Sequence, residues 1–176
     1  IPKKIGVTVS PDFAAVSKDD PTDAVFTVTG GKVTLTALKN GVSTVNADNY
    51  TYSDAADRLT IKGSYLGTLT AGDKTFTLVT NVGDFEVEVS VVDTSPTADT
   101  FSKAAVDDIT VTITGTTNLI QVKNGSNVLT KDTDYTVAAG VVTLKKEYFS
   151  AQDNGDVVIT LVTGVGSFTC TVTVGD

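Results

Sequence analysis

Along most of the chain, apolar and polar residues alternate one by one. Phe26 and Val28 alternate with Thr27 and Thr29. Phe76 and Leu78 alternate with Thr75 and Thr77, and Leu59 and Ile61 flank Thr60. Phe85, Val87, Val89 and Val91 alternate with Glu86, Glu88 and Ser90. A period of two with one apolar face predicts half-buried antiparallel strands. The second half repeats the pattern at Val111/Ile113, Val142/Leu144, Ile159/Leu161 and Phe168/Cys170/Val172/Val174. Asn40-Gly41 and Asn124-Gly125 are read as suppliers of the positive φ that tight hairpins need. Val82-Gly83-Asp84 and Val165-Gly166-Ser167 predict a closing hairpin in each half. One stretch breaks the alternation, residues 62–66 and again 145–149, and a single helical turn is expected there.

The two halves are copies of one unit. Ser10-Pro11 returns as Ser95-Pro96, Lys39-Asn40-Gly41 as Lys123-Asn124-Gly125, and Tyr50-Thr51 as Tyr135-Thr136. Thr77-Leu78-Val79-Thr80 returns as Thr160-Leu161-Val162-Thr163, and the offset stays between 83 and 85. Roughly a third of aligned positions are identical, which marks an internal duplication. About seven short strands per copy, with turns every 8–12 residues or so, describe an immunoglobulin-like sandwich. The expected fold is therefore all-β, two tandem immunoglobulin-like β-sandwiches, over residues 1–93 and 94–176. Tyr65 and Tyr148, near the position of a tyrosine corner, are read as structural. Nothing rich in Gly or Ser separates the copies, so a fairly stiff rod is expected.

Composition narrows the chemistry. The 176 residues include no His, Met or Trp and one Cys, with 13 Lys+Arg against 21 Asp+Glu. Without His there is no Ser-His-Asp or Cys-His nucleophile pair. A single Cys closes no intramolecular disulfide and builds no structural zinc site. A formal net charge of -8 opposes duplex nucleic acid, which needs clustered Lys and Arg. No apolar run approaches the ~20 residues that span a bilayer. The start at Ile-Pro-Lys-Lys suggests a processed product or an excerpt of something larger.

Few residues stand out as candidates. Cys170 takes the place of Val87 on an inward face, so it is expected to be a buried small hydrophobe. The acidic groups Asp19-Asp20, Asp107-Asp108, Asp132 with Asp134, and Asp153 with Asp156 read first as turn and surface residues. Asp132-Thr133-Asp134 has the alternate carboxylates of a calcium loop, but not the full EF-hand pattern. Polysaccharide binding usually offers an aromatic row, and here the available rings are Tyr50, Tyr52, Tyr65, Tyr135 and Tyr148, with Tyr52 replaced by Val137 in the second copy. Asn49-Tyr50-Thr51 and Asn124-Gly125-Ser126 fit the glycosylation pattern, a match common by chance. No catalytic, cofactor-binding or metal-binding residue is assigned.

The run Val122-Lys123-Asn124-Gly125, Leu129-Thr130, Thr133-Asp134-Tyr135-Thr136-Val137 and Val142-Thr143-Leu144-Lys145-Lys146-Glu147-Tyr148-Phe149 resembles the immunoglobulin-like X-two hydrophilic module of cellulosomal scaffoldins and related bacterial surface and phage proteins. The first copy carries weaker forms of the same pattern at residues 49–52 and 59–66. The resemblance implies a non-catalytic accessory part: a spacer, a solubilising unit, or a contributor to polysaccharide or cell-wall attachment. The expected function is a structural or display module of an extracellular surface, a scaffoldin or a virion. Its expected partners are neighbouring proteins of a lattice or particle. The alternative is a weak carbohydrate- or cell-wall-binding module. Residues 1–9 are expected to form an exposed arm able to pair with a neighbour's sheet edge.

Overall fold

The computed structural model describes residues 6–176. The chain divides into two compact units, Ile1–Val92 and Asp93–Asp176. Among the described residues of the first, nine strands build two sheets. One sheet holds β1 (Thr8–Ser10), β3 (Ala24–Thr29), β7 (Arg58–Ile61) and β6 (Tyr50–Ser53), in that order. Facing it are β2 (Phe13–Ser17), β9 (Gly83–Ser95), β8 (Gly72–Thr80), β4 (Leu35–Asn40) and β5 (Ser43–Thr44). The pairs are antiparallel except β2 against β9, which is parallel, with Phe13 beside Glu88 and Val16 beside Val91. The chain changes sheets between β1 and β2, beside a cis Ser10-Pro11 bond. This strand order is that of an immunoglobulin sandwich with a split first strand.

The second unit repeats the plan. Residues Asp93–Ser95, the end of β9, pair with β11 (Ile109–Thr114) as β1 pairs with β3. β15 (Val141–Leu144) and β14 (Tyr135–Ala138) complete that sheet. The other sheet runs β10 (Ala98–Ser102), β17 (Gly166–Gly175), β16 (Gly155–Thr163), β12 (Leu119–Asn124) and β13 (Asn127–Val128), with β10 parallel to β17.

Each unit has its own core, made by the inward half of the alternation. Phe26, Leu38, Leu59, Ile61, Phe76 and Leu78 are fully buried in the first. Val111, Val122, Val142, Leu144, Ile159 and Leu161 are fully buried in the second. The expected helical turn is present as α1 (Gly63–Leu66) and α2 (Lys146–Ser150), each joining the two sheets at one end of its sandwich. Asp23 Oδ1 accepts from Gly63 N, and Asp108 Oδ1 from Lys146 N, both at 2.8 Å, so an aspartate ahead of β3 and of β11 satisfies a donor at the start of each turn. Leu66 and Phe149 plug the core from these turns. The Tyr65 hydroxyl accepts from Asn40 Nδ2 at 3.5 Å, and that of Tyr148 from Asn124 Nδ2 at 2.9 Å. These tyrosines therefore fasten the turn to the neighbouring sheet through a side chain, where a tyrosine corner bonds to backbone.

Two expectations change. In the β4–β5 and β12–β13 hairpins the positive φ belongs to Gly41 (57°) and Gly125 (58°) alone. Asn40 and Asn124 are the last residues of their strands, and their side chains serve the tyrosines instead. The exposed arm expected over residues 1–9 is not a free arm from Val7 onward. Val7 is buried, and Thr8 and Val9 pair with Thr29 and Val28 inside their own sandwich. The remainder of that expectation, residues 1–5, lies outside the described residues.

Candidate functional site

The tyrosines do not form a row. Tyr50 and Tyr52 lie on β6 and pack against the first core, Tyr65 sits edge-on to Phe76, and Tyr148 edge-on to Phe149. Tyr135 is buried in the second core. Among the described residues, the large aromatic side chain with the most open surface is Phe13, at 37% exposure. A flat stacking platform of several rings is thus not how this surface would hold a sugar.

One member of three of the four acidic pairs accepts a local hydrogen bond. Asp134 Oδ2 accepts from Thr130 N at 2.7 Å, and Asp132 takes a positive φ of 66° in the same turn. Asp108 holds the start of α2, and Asp156 Oδ1 accepts from the Thr173 hydroxyl at 2.7 Å. Among the described residues no group of three or more metal-binding side chains is gathered in one place. Cys170 is fully buried on β17, and burial, with Asp99 nearby, pushes its thiol pKa up, which disfavours the reactive thiolate.

The two sandwiches differ along one open side, between the edge strand of one sheet and the start of β4 or β12 in the other. In the first, Val33 fills this side and is completely buried. Its backbone is clasped at both ends: Val33 N donates to Asp57 Oδ1 at 3.3 Å, and Val33 O accepts from the Tyr52 hydroxyl at 3.0 Å. Burial first, then the carboxylates of Asp57 and Asp54, push the Tyr52 hydroxyl from 10.0 up to about 12.

In the second sandwich both clasping groups are gone. Val137 on β14 replaces Tyr52. Gly140 replaces Asp57, as the matched bonds Val28 N to Asp57 O and Ile113 N to Gly140 O show. The connection between β11 and β12, residues 115–118, is one residue shorter than residues 30–34 between β3 and β4. What remains is a cleft of about 430 Å³ lined by residues 117–120 together with Lys131, Tyr135 and Val137. A β-bulge between Leu119 and Gln121 sets Ile120 out of the alternation, 62% exposed. The first sandwich has the same bulge, but there the residue is Thr36. Sequence reading singled out Tyr135 and noted the Tyr52-to-Val137 exchange. It missed Ile120, Thr117, Asn118 and Lys131, for which the shortened connection is the available signal.

The chain is 30% identical to Cellulose-binding protein A of Clostridium cellulovorans over 172 residues, covering 91% of this chain and 9% of that protein. It is 39% identical to Exoglucanase-2 of Thermoclostridium stercorarium over 64 residues, covering 36% of this chain and 7% of that protein. The chain thus spans less than a tenth of the length of these curated relatives. Among solved structures, a tri-modular endo-beta-1,4-glucanase from Bacillus licheniformis matches at TM-score 0.45 and 16% identity, covering 97% of this chain and 39% of that one. Tandem Ig domains of titin match at TM-score 0.40 and 12% identity, covering 97% of both chains. The carbohydrate binding domain X2 family matches residues 9–89 and again 94–174, one match inside each sandwich. The chain belongs to the carbohydrate binding domain X2 family, as two tandem members.

Proposed function

We propose that the chain is a non-catalytic, extracellular polysaccharide-binding pair of modules. The observation that carries this is the family match across both sandwiches. It is supported by relatives named for binding cellulose and for cleaving glucan. Extracellular placement follows from the ligand, since an insoluble polymer is met outside the cell. The chain has no His for a nucleophile–base pair, and of its paired carboxylates Asp134 is bonded within a turn and Asp108 at a helix start. The display or lattice role that surface composition first suggests now ranks second, and its virion form draws no support from these similarities. With the tyrosines largely committed to the cores, affinity for a single chain should be modest.

The test is depletion of the protein from solution by microcrystalline cellulose, xylan and chitin, with bovine serum albumin as a control. Saturable depletion by one polysaccharide supports the proposal. Depletion no greater than that of albumin on all three overturns it.

A further inference from the structure

We infer that the open side of the second sandwich, between β12 and β14, is the sugar-binding cleft, that it takes a segment of one neutral glycan chain, and that the first sandwich is closed at the same place. This rests on the polysaccharide-binding reading and deepens it. The two sandwiches share strands, bulge and turns, so the contrast at this side is not a difference of fold. Where the first has a buried Val33 held by Tyr52 and Asp57, the second has Val137, Gly140 and a shorter connection. The space left, about 430 Å³, is of the order of small-ligand clefts, about 300–1,000 Å³.

The lining suits a sugar. A pyranose ring has apolar C–H faces and a rim of hydroxyls. Ile120 and Val137 offer apolar surface beside the largely buried ring of Tyr135, while Thr117, Asn118 and Lys131 offer a hydroxyl, an amide and an ammonium group. A cleft with apolar walls and a few polar groups gives orientation through hydrogen bonds and affinity through burial. Ile120 matters most, because an isoleucine left 62% exposed gains by being covered. A neutral chain fits better than a strongly anionic one, since Lys131 is the single charged lining residue and Asp132 and Asp134 lie within the next three positions.

The experiment uses the full chain and two probes, cellohexaose by calorimetry and microcrystalline cellulose by depletion. Ile120→Thr, which copies the first sandwich at an exposed position, should weaken cellohexaose binding about tenfold. Val137→Tyr should weaken it at least as much by refilling the cleft, with circular dichroism confirming that the variant folds. Val42→Thr, in the first sandwich at 98% exposure, should bind as the parent does. Parent-like binding by both cleft variants would overturn the cleft while leaving the polysaccharide-binding reading intact. Failure of the parent to bind either probe would overturn both. An equal loss in Val42→Thr would also overturn the cleft.

Discussion

The two sandwiches show how one scaffold is finished in two ways. Both carry the same bulge at Thr36 and Ile120, the same aspartate at the helical turn, and the same Asn–Tyr bond. In the first, the side between the sheets is shut, with a buried valine whose N–H and C=O are both bonded. Each such bond contributes about 0.5–1.5 kcal/mol net, so closure is a stabilising choice. In the second, the same side keeps exposed apolar surface, which gains nothing in the free protein. Their outer faces diverge too: Glu86 and Glu88 on β9 stand where β17 has Thr169 and Thr171.

The comparison can be broken or sharpened by substitution, starting with the cores. Phe26→Ala should cost about 3–5 kcal/mol, and Val111→Ala, at the matching position, clearly less, because the ring leaves the larger void. Urea unfolding of the full chain checks this, and equal losses would contradict it. Next come the helical turns. A Cβ on Gly63 would lie 2.3 Å from the Pro21 carbonyl oxygen, so Gly63→Ala should cost about 1–3 kcal/mol. Lys146→Ala, at the equivalent place in α2, should stay within about 0.5 kcal/mol.

The clasp is the third target, and Tyr52→Phe should cost about 0.5–1.5 kcal/mol. It also has a pH signature. The folded state holds the Tyr52 proton up to about 12, whereas the unfolded chain releases it near 10.0. The stabilisation is therefore complete below pH 10.0 and is lost as pH rises toward about 12. Alkaline unfolding curves of the parent should show this loss, and those of Tyr52→Phe should lack it. A small effect is also expected at Cys170, where Val already serves at position 87. Cys170→Val should cost under about 1.5 kcal/mol, and the native thiol should label slowly until the protein unfolds.

The repeat, the strands and the buried faces were legible because alternation reports directly on which side of a sheet a residue faces. Cys170 could be placed in the core by its match to Val87 and by the alternation it shares with Phe168, Val172 and Val174. The cleft was hidden for a different reason. Ile120 falls on a bulge, which breaks the period-two reading at the residue that matters. The Tyr52-to-Val137 exchange is visible in the sequence. Its meaning depends on the hydroxyl reaching Val33, a contact 19 positions away that no local pattern announces. Asn40 misled for a similar reason: Asn-Gly is a turn signal, yet the turn needed only the glycine and left the amide for Tyr65.

The central claim, one open side and one closed, is tested most directly by a titration of the ¹⁵N-labelled full chain with cellohexaose, followed residue by residue in two-dimensional NMR. Saturable shifts are expected at residues 117–121 and 131–137, with Val33, Tyr52 and Asp57 unmoved. Shifts centred on the first sandwich, or on the outer face of β16 and β17, would contradict it.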